Sequence, residues 1–362
     1  MKGAMDPVRC IAICFLLFSF AASADDLTWF DGRSLPLEGR GWSEASGYAR
    51  LPDRLKTNVT AGVWQHSRKP AGECLRFVTD ANRIVVEWSL ADSRLSHANM
   101  LAAAASGIDV YGSRSDGGWE RIKTADEVQQ NGNRLSVAWK PGRTALIYLP
   151  YFNEVTKLRV GIPSGSKISK AASHLRGGGK PVVFYGTSIT HGCAASRPGM
   201  TFVSIAGRRA DVECVNLGFA GCGRLEYEIP DILAEIDAAA YVIDPLWNMN
   251  SLEPDEKRKR ILHTVRTLHR LRPRVPIVLS ERVSPCVPDS ADSLLMRKAY
   301  DDLLLEDKSL SGVLHLMPAA KLMATDGDGT FDDAHPNDWG MMQMGLAYSQ
   351  LLKDIFPVTV CD

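Results

Sequence analysis

From residue 181 onward the chain alternates short apolar runs with longer amphipathic stretches, and that alternation restricts the fold more than any other feature of the sequence. Residues 182–185, 212–217, 240–244, 276–280 and 313–316 read as buried strands. Helices are predicted over about 199–210, 226–238, 252–272, 291–306 and 340–354. In the third of these, Ile261, Leu262, Val265, Leu268 and Leu271 recur at helical spacing, with lysines and arginines on the other face. One side therefore packs and the other meets water. Strands and helices in alternation build a parallel sheet with helices on both sides. In such sheets sites gather at the carboxyl ends of the strands. The residues just past each strand are thus the candidates for chemistry.

The first half is built differently. Residues 75–78, 83–88, 108–111, 134–139, 145–149 and 157–162 are β-prone runs separated by Gly, Pro, Asn and Asp. Short strands at this spacing predict a β-sandwich. Residues 102–105 fit either a helical turn or a loop. A glycine-rich stretch, 174–181, connects the halves. Ahead of both, Lys2 and Arg9 precede an apolar run over 11–20, and Ala22-Ser23-Ala24 follows. This is the pattern of a secretory signal peptide cleaved after Ala24. The run is too short to span a bilayer comfortably, and no other stretch is long and apolar enough. The expected organisation is a signal peptide over 1–24, a β-sandwich domain over 25–175 and an α/β domain over 180–357. The mature protein is expected to be secreted or periplasmic, without stable membrane insertion. Of eight cysteines, Cys10 and Cys14 leave with the signal. Export permits disulfides among the rest, but their spacing assigns no pairing and no C-x-x-C suggests a metal. Cys214, in an apolar run, reads as a buried thiol.

Four strand ends carry polar residues. The first α/β strand runs into Gly186-Thr187-Ser188-Ile189-Thr190-His191-Gly192. A serine at a strand-to-helix junction is either an N-cap or a nucleophile beside unpaired N–H groups that favour negative charge. The second strand runs into Gly218, Gly221 and Gly223. These form an ordinary tight turn or one whose backbone N–H approaches a substrate oxygen. The third ends Asp244-Pro245-Leu246-Trp247-Asn248-Met249-Asn250, and an asparagine there is a turn residue or an amide donor. Before the last helix stands Asp332-Asp333-Ala334-His335-Pro336. Asp332 and His335 are close enough for one turn to hold a base and the carboxylate that fixes its tautomer.

Together these blocks resemble those of the SGNH, or GDSL-like, hydrolases over about 180–356. Thr187 stands where the acidic residue of GDSL is usual. The asparagine block departs from G-x-N-D and looks like a D-x-x-x-N-M version, which favours Asn248 and leaves Asn250 open. In the first half, Gly107-Ile108-Asp109-Val110-Tyr111 resembles the G-x-D-L-Y segment of a β-domain that precedes some SGNH domains. Its Asp109 and Tyr111 read as packing residues of a strand. The resemblance implies a flavodoxin-like three-layer α/β/α hydrolase domain preceded by a jelly-roll-like β-sandwich.

It also implies a mechanism. Ser188 is the nucleophile, His335 its base and Asp332 the residue that orients the imidazole. Ser188 N–H, Gly221 N–H and the Asn248 amide form the oxyanion hole. Neither a metal nor a cofactor is called for. His191 is a rival base on paper, but on a helix after Ser188 it points away from the strand ends. Asp333, His263, His269 and His315 read as surface or packing residues. Trp247 and Trp339 flank the site blocks and are expected to bind substrate or to pack. A formal net charge of zero gives no sign of nucleic-acid binding. The expected substrate is an acylated carbohydrate or another small ester, with O-acetyl groups first. A general short-chain esterase or lysophospholipase, and an inactive sugar-binding protein, are the alternatives.

Overall fold

A computed structural model describes residues 26–283, 289–324 and 326–358. The signal-peptide reading, with Cys10 and Cys14, falls outside the described residues, as do Cys286 and Cys361. In the first half the strands are β1 (Leu27–Asp31), β2 (Leu37–Glu38), β3 (Cys74–Thr79), β4 (Arg83–Leu90) and β5 (Asp109–Ser113). They continue with β6 (Trp119–Thr124), β7 (Asn133–Ala138), β8 (Thr144–Tyr148), β9 (Val155–Pro163) and β10 (Ile168–Lys170). Two helices, α1 (Ala61–Ser67) and α2 (Ala102–Ala105), interrupt them; the open question at 102–105 resolves to a single helical turn.

The strands form two antiparallel sheets, β1-β9-β4-β7 and β10-β3-β8-β5-β6, with β2 alongside β3. Ile84, Val86 and Trp88 of one sheet meet Leu75, Phe77, Val110 and Ile147 of the other in a shared buried core. Alternating residues of β4 and β7 turn inward, as a sandwich requires.

The second half contains β11 (Val182–Gly186), β12 (Cys214–Gly218), β13 (Ala240–Asp244), β14 (Ile277–Ser280) and β15 (Leu314–Met317). Its helices are α3 (Ser188–His191), α4 (Phe202–Ala210), α5 (Ile229–Ala234), α6 (Pro254–Leu271), α7 (Ala291–Glu306), α8 (Ala319–Leu322) and α9 (Asp338–Ile355). The strands are parallel in the order β12-β11-β13-β14-β15. This is the flavodoxin-like order. Strands buried on both faces read as continuous apolar runs, and here alternate residues serve opposite cores. Val183, Tyr185, Ile243 and Leu279 pack toward α5, α6 and α7, with Ile261 and Met296 among their neighbours. Val182, Phe184, Val242 and Val278 pack toward α4 and α9, with Phe202 and Tyr348. Each such fully buried side chain contributes about 1.5–3 kcal/mol.

The excursion between β2 and β3 does not stay with the sandwich. Trp42, Leu51, Leu55 and Val63 lie in the α/β core beside Val215, Leu217 and Phe219. Trp42 also donates its indole N–H to Glu235, 2.7 Å away. Register completes the frame of the site: Gly186 of β11 lies opposite both Gly218 of β12 and Asp244 of β13. Three loops therefore leave the sheet side by side, at the point where strand order reverses.

Candidate active site

Gly186 ends β11 because nothing larger fits. A Cβ there would meet Thr190 Oγ1 at 2.1 Å and the Asp244 carbonyl oxygen at 2.7 Å. The one-turn helix α3 can therefore sit directly on the strand ends. Its N-cap is Thr187, whose hydroxyl accepts the Ile189 N–H at 3.2 Å. That settles the two readings of Ser188: the preceding threonine does the capping, and the serine hydroxyl is free to point elsewhere. It lies 2.8 Å from His335 Nε2.

His335 is held by its own turn. Asp333 adopts a left-handed conformation, φ 62°, which folds the chain back so that Asp332 faces the imidazole. Asp332 Oδ2 lies 2.8 Å and Oδ1 3.0 Å from His335 Nδ1. Oδ1 also accepts the His335 backbone N–H at 2.8 Å. Burial works against the charge of Asp332, yet these bonds hold its carboxyl below the usual carboxylate range. Asn337 fastens this turn to α9. Its Oδ1 accepts the N–H of Trp339 and Gly340, while its Nδ2 donates to the carbonyls of Asp328 and Thr330. Reading the sequence missed Asn337; an Asn just ahead of a predicted helix is the N-cap signal that marks it.

The glycine turn lies opposite. Gly221 has φ 70°, which a glycine adopts without cost. Among the described residues, neither its N–H nor that of Ser188 has a hydrogen-bond acceptor. Asn248 reaches the same turn from the loop after β13. Its Nδ2 donates to the carbonyls of Phe219 and Gly223, both at 3.0 Å. The sequence assigns this amide to the substrate oxygen; in the structure its Nδ2 is engaged by the turn. Asn250, the alternative, accepts from Arg282 at 2.8 Å and is engaged there. Beneath α3, Thr190 donates to Asp244 at 3.1 Å. Burial pushes that carboxyl up to about 7, against the threonine bond.

His191 is fully buried and bonds the Tyr151 carbonyl through Nε2 at 2.7 Å. Burial pushes its pKa well below the usual value, so it is a neutral packing residue directed away from Ser188. Trp247 is half-buried, donating to the Val283 carbonyl at 2.8 Å under the Arg282 guanidinium. Trp339 is 57% exposed, and Phe331, which the sequence reading passed over, is 59% exposed beside Asp332. Two flat apolar faces thus flank the His335 turn. His263 and His269 bond the Tyr227 carbonyl and the Ser309 hydroxyl. Cys214 is half-buried rather than enclosed.

The β-domain motif reaches across to the loop that follows α3. Asp109 and Tyr111 receive Arg197 Nη1 at 3.2 and 2.8 Å, and Asp109 also accepts the Gly199 N–H at 3.1 Å. Ser196, one residue earlier, bonds Asp338 at the start of α9. Asp109 and Tyr111 therefore clamp the loop between the serine and histidine blocks.

A hydroxyl, an imidazole and a carboxylate in this line can move a proton from serine oxygen to nitrogen and stabilise the imidazolium formed. N–H groups left without an acceptor at a strand-to-helix junction and in a glycine turn can hold an oxyanion. Among the described residues, no group of three or more His, Cys, Asp or Glu is placed to hold a metal ion, and no helix is long and apolar enough to cross a membrane.

Comparison with known proteins addresses the family and the fold. Residues 179–353 match the GDSL-like lipase/acylhydrolase family, and 27–168 match the GxDLY family, the N-terminus of SGNH-type esterases. A protein described as a GDSL-like lipase from Bacteroides ovatus is similar over 92% of this chain and 100% of its own, with 25% identity and a TM-score of 0.79. The salicylyl-acyltransferase SsfX3 from a tetracycline biosynthetic pathway is similar over 92% and 99%, with 18% identity and a TM-score of 0.72. A family two carbohydrate esterase from Cellvibrio japonicus shares the fold over 79% and 89%, with 13% identity and a TM-score of 0.56. No curated protein matches the chain.

Proposed function

With a GDSL-like lipase/acylhydrolase domain behind an SGNH-type esterase N-terminal domain, the chain is a serine ester hydrolase, and we propose that it is an exported enzyme that removes O-acetyl groups from carbohydrate. The observation that carries the mechanism is the continuous line from Ser188 through His335 to Asp332. Ser188 Oγ attacks the ester carbonyl while His335 Nε2 takes its proton. Asp332 keeps Nδ1 protonated and offsets the charge of the imidazolium. The carbonyl oxygen becomes an oxyanion held by the N–H groups of Ser188 and Gly221, and Asn248 secures the turn that presents the second. Loss of one such donor typically costs about a hundred- to a thousand-fold in rate. His335 then protonates the leaving alcohol, and the acyl group stays on Ser188. Water enters, gives its proton to His335 and attacks the acyl carbonyl, and His335 returns that proton to Ser188 Oγ as the acid leaves.

The carbohydrate reading is supported by Trp339 and Phe331, whose exposed faces suit the apolar side of a sugar ring. Carbohydrate esterases share the fold. Export rests on the signal-peptide pattern ending at Ala24. The test is acetate release from acetylated xylan by residues 25–362, beside 4-nitrophenyl acetate, butyrate and octanoate, with Ser188→Ala in parallel. Ser188-dependent acetate release is expected. Serine-dependent turnover of nitrophenyl esters alone would replace the carbohydrate with a general short-chain ester. No turnover of any of them by either protein would leave a sugar-binding protein in its place.

A further inference from the structure

We infer that Arg50, from the N-terminal half, is a positioning residue of the oxyanion hole. It is 1% exposed, and its guanidinium makes four hydrogen bonds, all to backbone carbonyls. Two anchor it at home: Nε donates to Lys69 at 2.7 Å and Nη2 to His66 at 2.8 Å. The other two cross into the α/β half, where Nη1 donates to Asn216 at 2.9 Å and to Gly218 at 2.7 Å. The guanidinium carbon lies 4.8 Å from the centre of the Phe219 ring.

These targets are consecutive parts of one device. β12 is the edge strand of the parallel sheet, so among the described residues one side of its backbone has no neighbouring strand. Residues two apart on a strand turn the same way, and Arg50 takes the carbonyls of both Asn216 and Gly218 on that side. The next residue, Phe219, is the hub of the glycine turn. Its N–H donates to the Gly186 carbonyl at 3.0 Å, and its carbonyl accepts the N–H groups of Cys222 and Gly223 at 3.0 and 3.2 Å. Asn248 holds that same carbonyl from the other flank. A peptide turn fixed at its carbonyls has its remaining N–H groups fixed too. Arg50 and Asn248 therefore decide where the Gly221 N–H points, one from each half of the chain. Asn216 extends the connection to the nucleophile, since its Nδ2 donates to the Thr190 carbonyl of α3 at 2.7 Å.

Lysine cannot substitute. It has one charged nitrogen, whereas the guanidinium fork spans four carbonyls at once. The inference rests on the reading of Gly221 as an oxyanion donor, and the experiment separates the two. In the full chain, Arg50→Lys is expected to lower kcat for 4-nitrophenyl acetate about 10- to 100-fold, less than loss of a donor outright, with KM unchanged within about twofold. Inhibition by methylboronic acid, which forms a tetrahedral adduct on a serine, should weaken by the same factor, while inhibition by the product acetate should not change. All rates are expressed per burst-titrated site, so a merely structural role, which only reduces the number of folded sites, leaves them unmoved. Unchanged kcat and boronate inhibition in folded Arg50→Lys overturn the inference. Should that variant not fold, Phe219→Leu removes the ring beneath the guanidinium: a parallel loss of kcat and boronate affinity supports the inference, and no loss overturns it. A wild-type enzyme active on the ester yet indifferent to methylboronic acid overturns the oxyanion reading itself, and this inference with it.

Discussion

Asp332→Asn isolates the tautomer from the geometry. In the wild type Oδ1 accepts the His335 backbone N–H at 2.8 Å and Oδ2 lies 2.8 Å from Nδ1. An asparagine of the same shape must keep its carbonyl oxygen on the backbone N–H, because an amide NH2 there would face another donor. Its NH2 then falls opposite Nδ1. The carbonyl oxygen stays 3.0 Å from Nδ1, but the nearer NH2 opposes an N–H there and favours the tautomer with its proton on Nε2, which then donates toward Ser188 instead of accepting from it. The base is lost although every heavy atom stays in place. The expected fall in kcat/KM is about 10⁴-fold, which corresponds to about 5.4 kcal/mol of transition-state stabilisation. Because the Asp332 side chain is 39% exposed, the melting temperature should move little. The assay is steady-state and stopped-flow hydrolysis of 4-nitrophenyl acetate at pH 7.5, with thermal unfolding as the control for folding. A variant that keeps more than a tenth of wild-type kcat/KM would refute the assignment of Asp332 as the orienting carboxylate.

Two further outcomes concern the joint between the halves. His174 bonds Glu38 through Nε2 and Asp211 through Nδ1, both at 3.0 Å. Burial opposes its charge, but Asp211 and Glu38 overcome this and raise it to about 9. Its unfolded value is about 6.5, so the bond stabilises fully below that pH and is lost as pH rises through about 9. The rise from about 6.5 to about 9 sets an upper bound of about 3.4 kcal/mol. Urea unfolding at pH 6 and pH 9.5 should show this loss in the wild type and not in His174→Gln; equal pH dependence in both would count against it. Gly199→Ala places a Cβ 2.4 Å from the Tyr111 ring and 2.6 Å from Asp109 Oδ2. It should cost about 1–3 kcal/mol, read as a lower melting temperature in calorimetry, and an unchanged melting temperature would show that the joint relaxes freely.

Patterns that repeat along the chain were legible before any coordinates. The five parallel strands announced themselves because each is buried on both faces, and the serine and D-x-x-H blocks followed from looking past strand ends. Contacts between a side chain and a distant carbonyl left no such trace. Arg50 bonds Asn216 across 166 residues, and nothing in its neighbourhood is periodic. The excursion holding Trp42, Leu51 and Leu55 has only one α-helix, the 7-residue α1, too short to show an amphipathic stripe. The strand-end position singles out Asn248, but whether its amide faces substrate or the turn behind it depends on which groups surround it, and sequence order does not encode that. Thr187 was seen only as a departure from the GDSL pattern, although its capping bond is what frees the serine.

The same distinction changes what the G-x-D-L-Y motif means. As strand residues Asp109 and Tyr111 alternate like packing positions, and that is how they read alone. In three dimensions they hold Arg197 and Gly199, on the loop that follows the nucleophile helix. Arg50 holds the strand that feeds the glycine turn, and a Cβ at Gly62 of α1 would stand 2.4 Å from Cys222 Sγ in that turn. His66 packs edge-on against His191 of the nucleophile helix, with ring centres 5.4 Å apart. Each of these contacts comes from the first half and ends on a different support of the site. A cut near residue 175 would therefore strip the glycine turn, the nucleophile helix and the loop behind it of their outer restraints at once. It would also expose apolar surface on the core that Trp42, Leu51 and Val63 now cover. The hydrolase chemistry belongs to the second half by residue identity, but its geometry is a property of both.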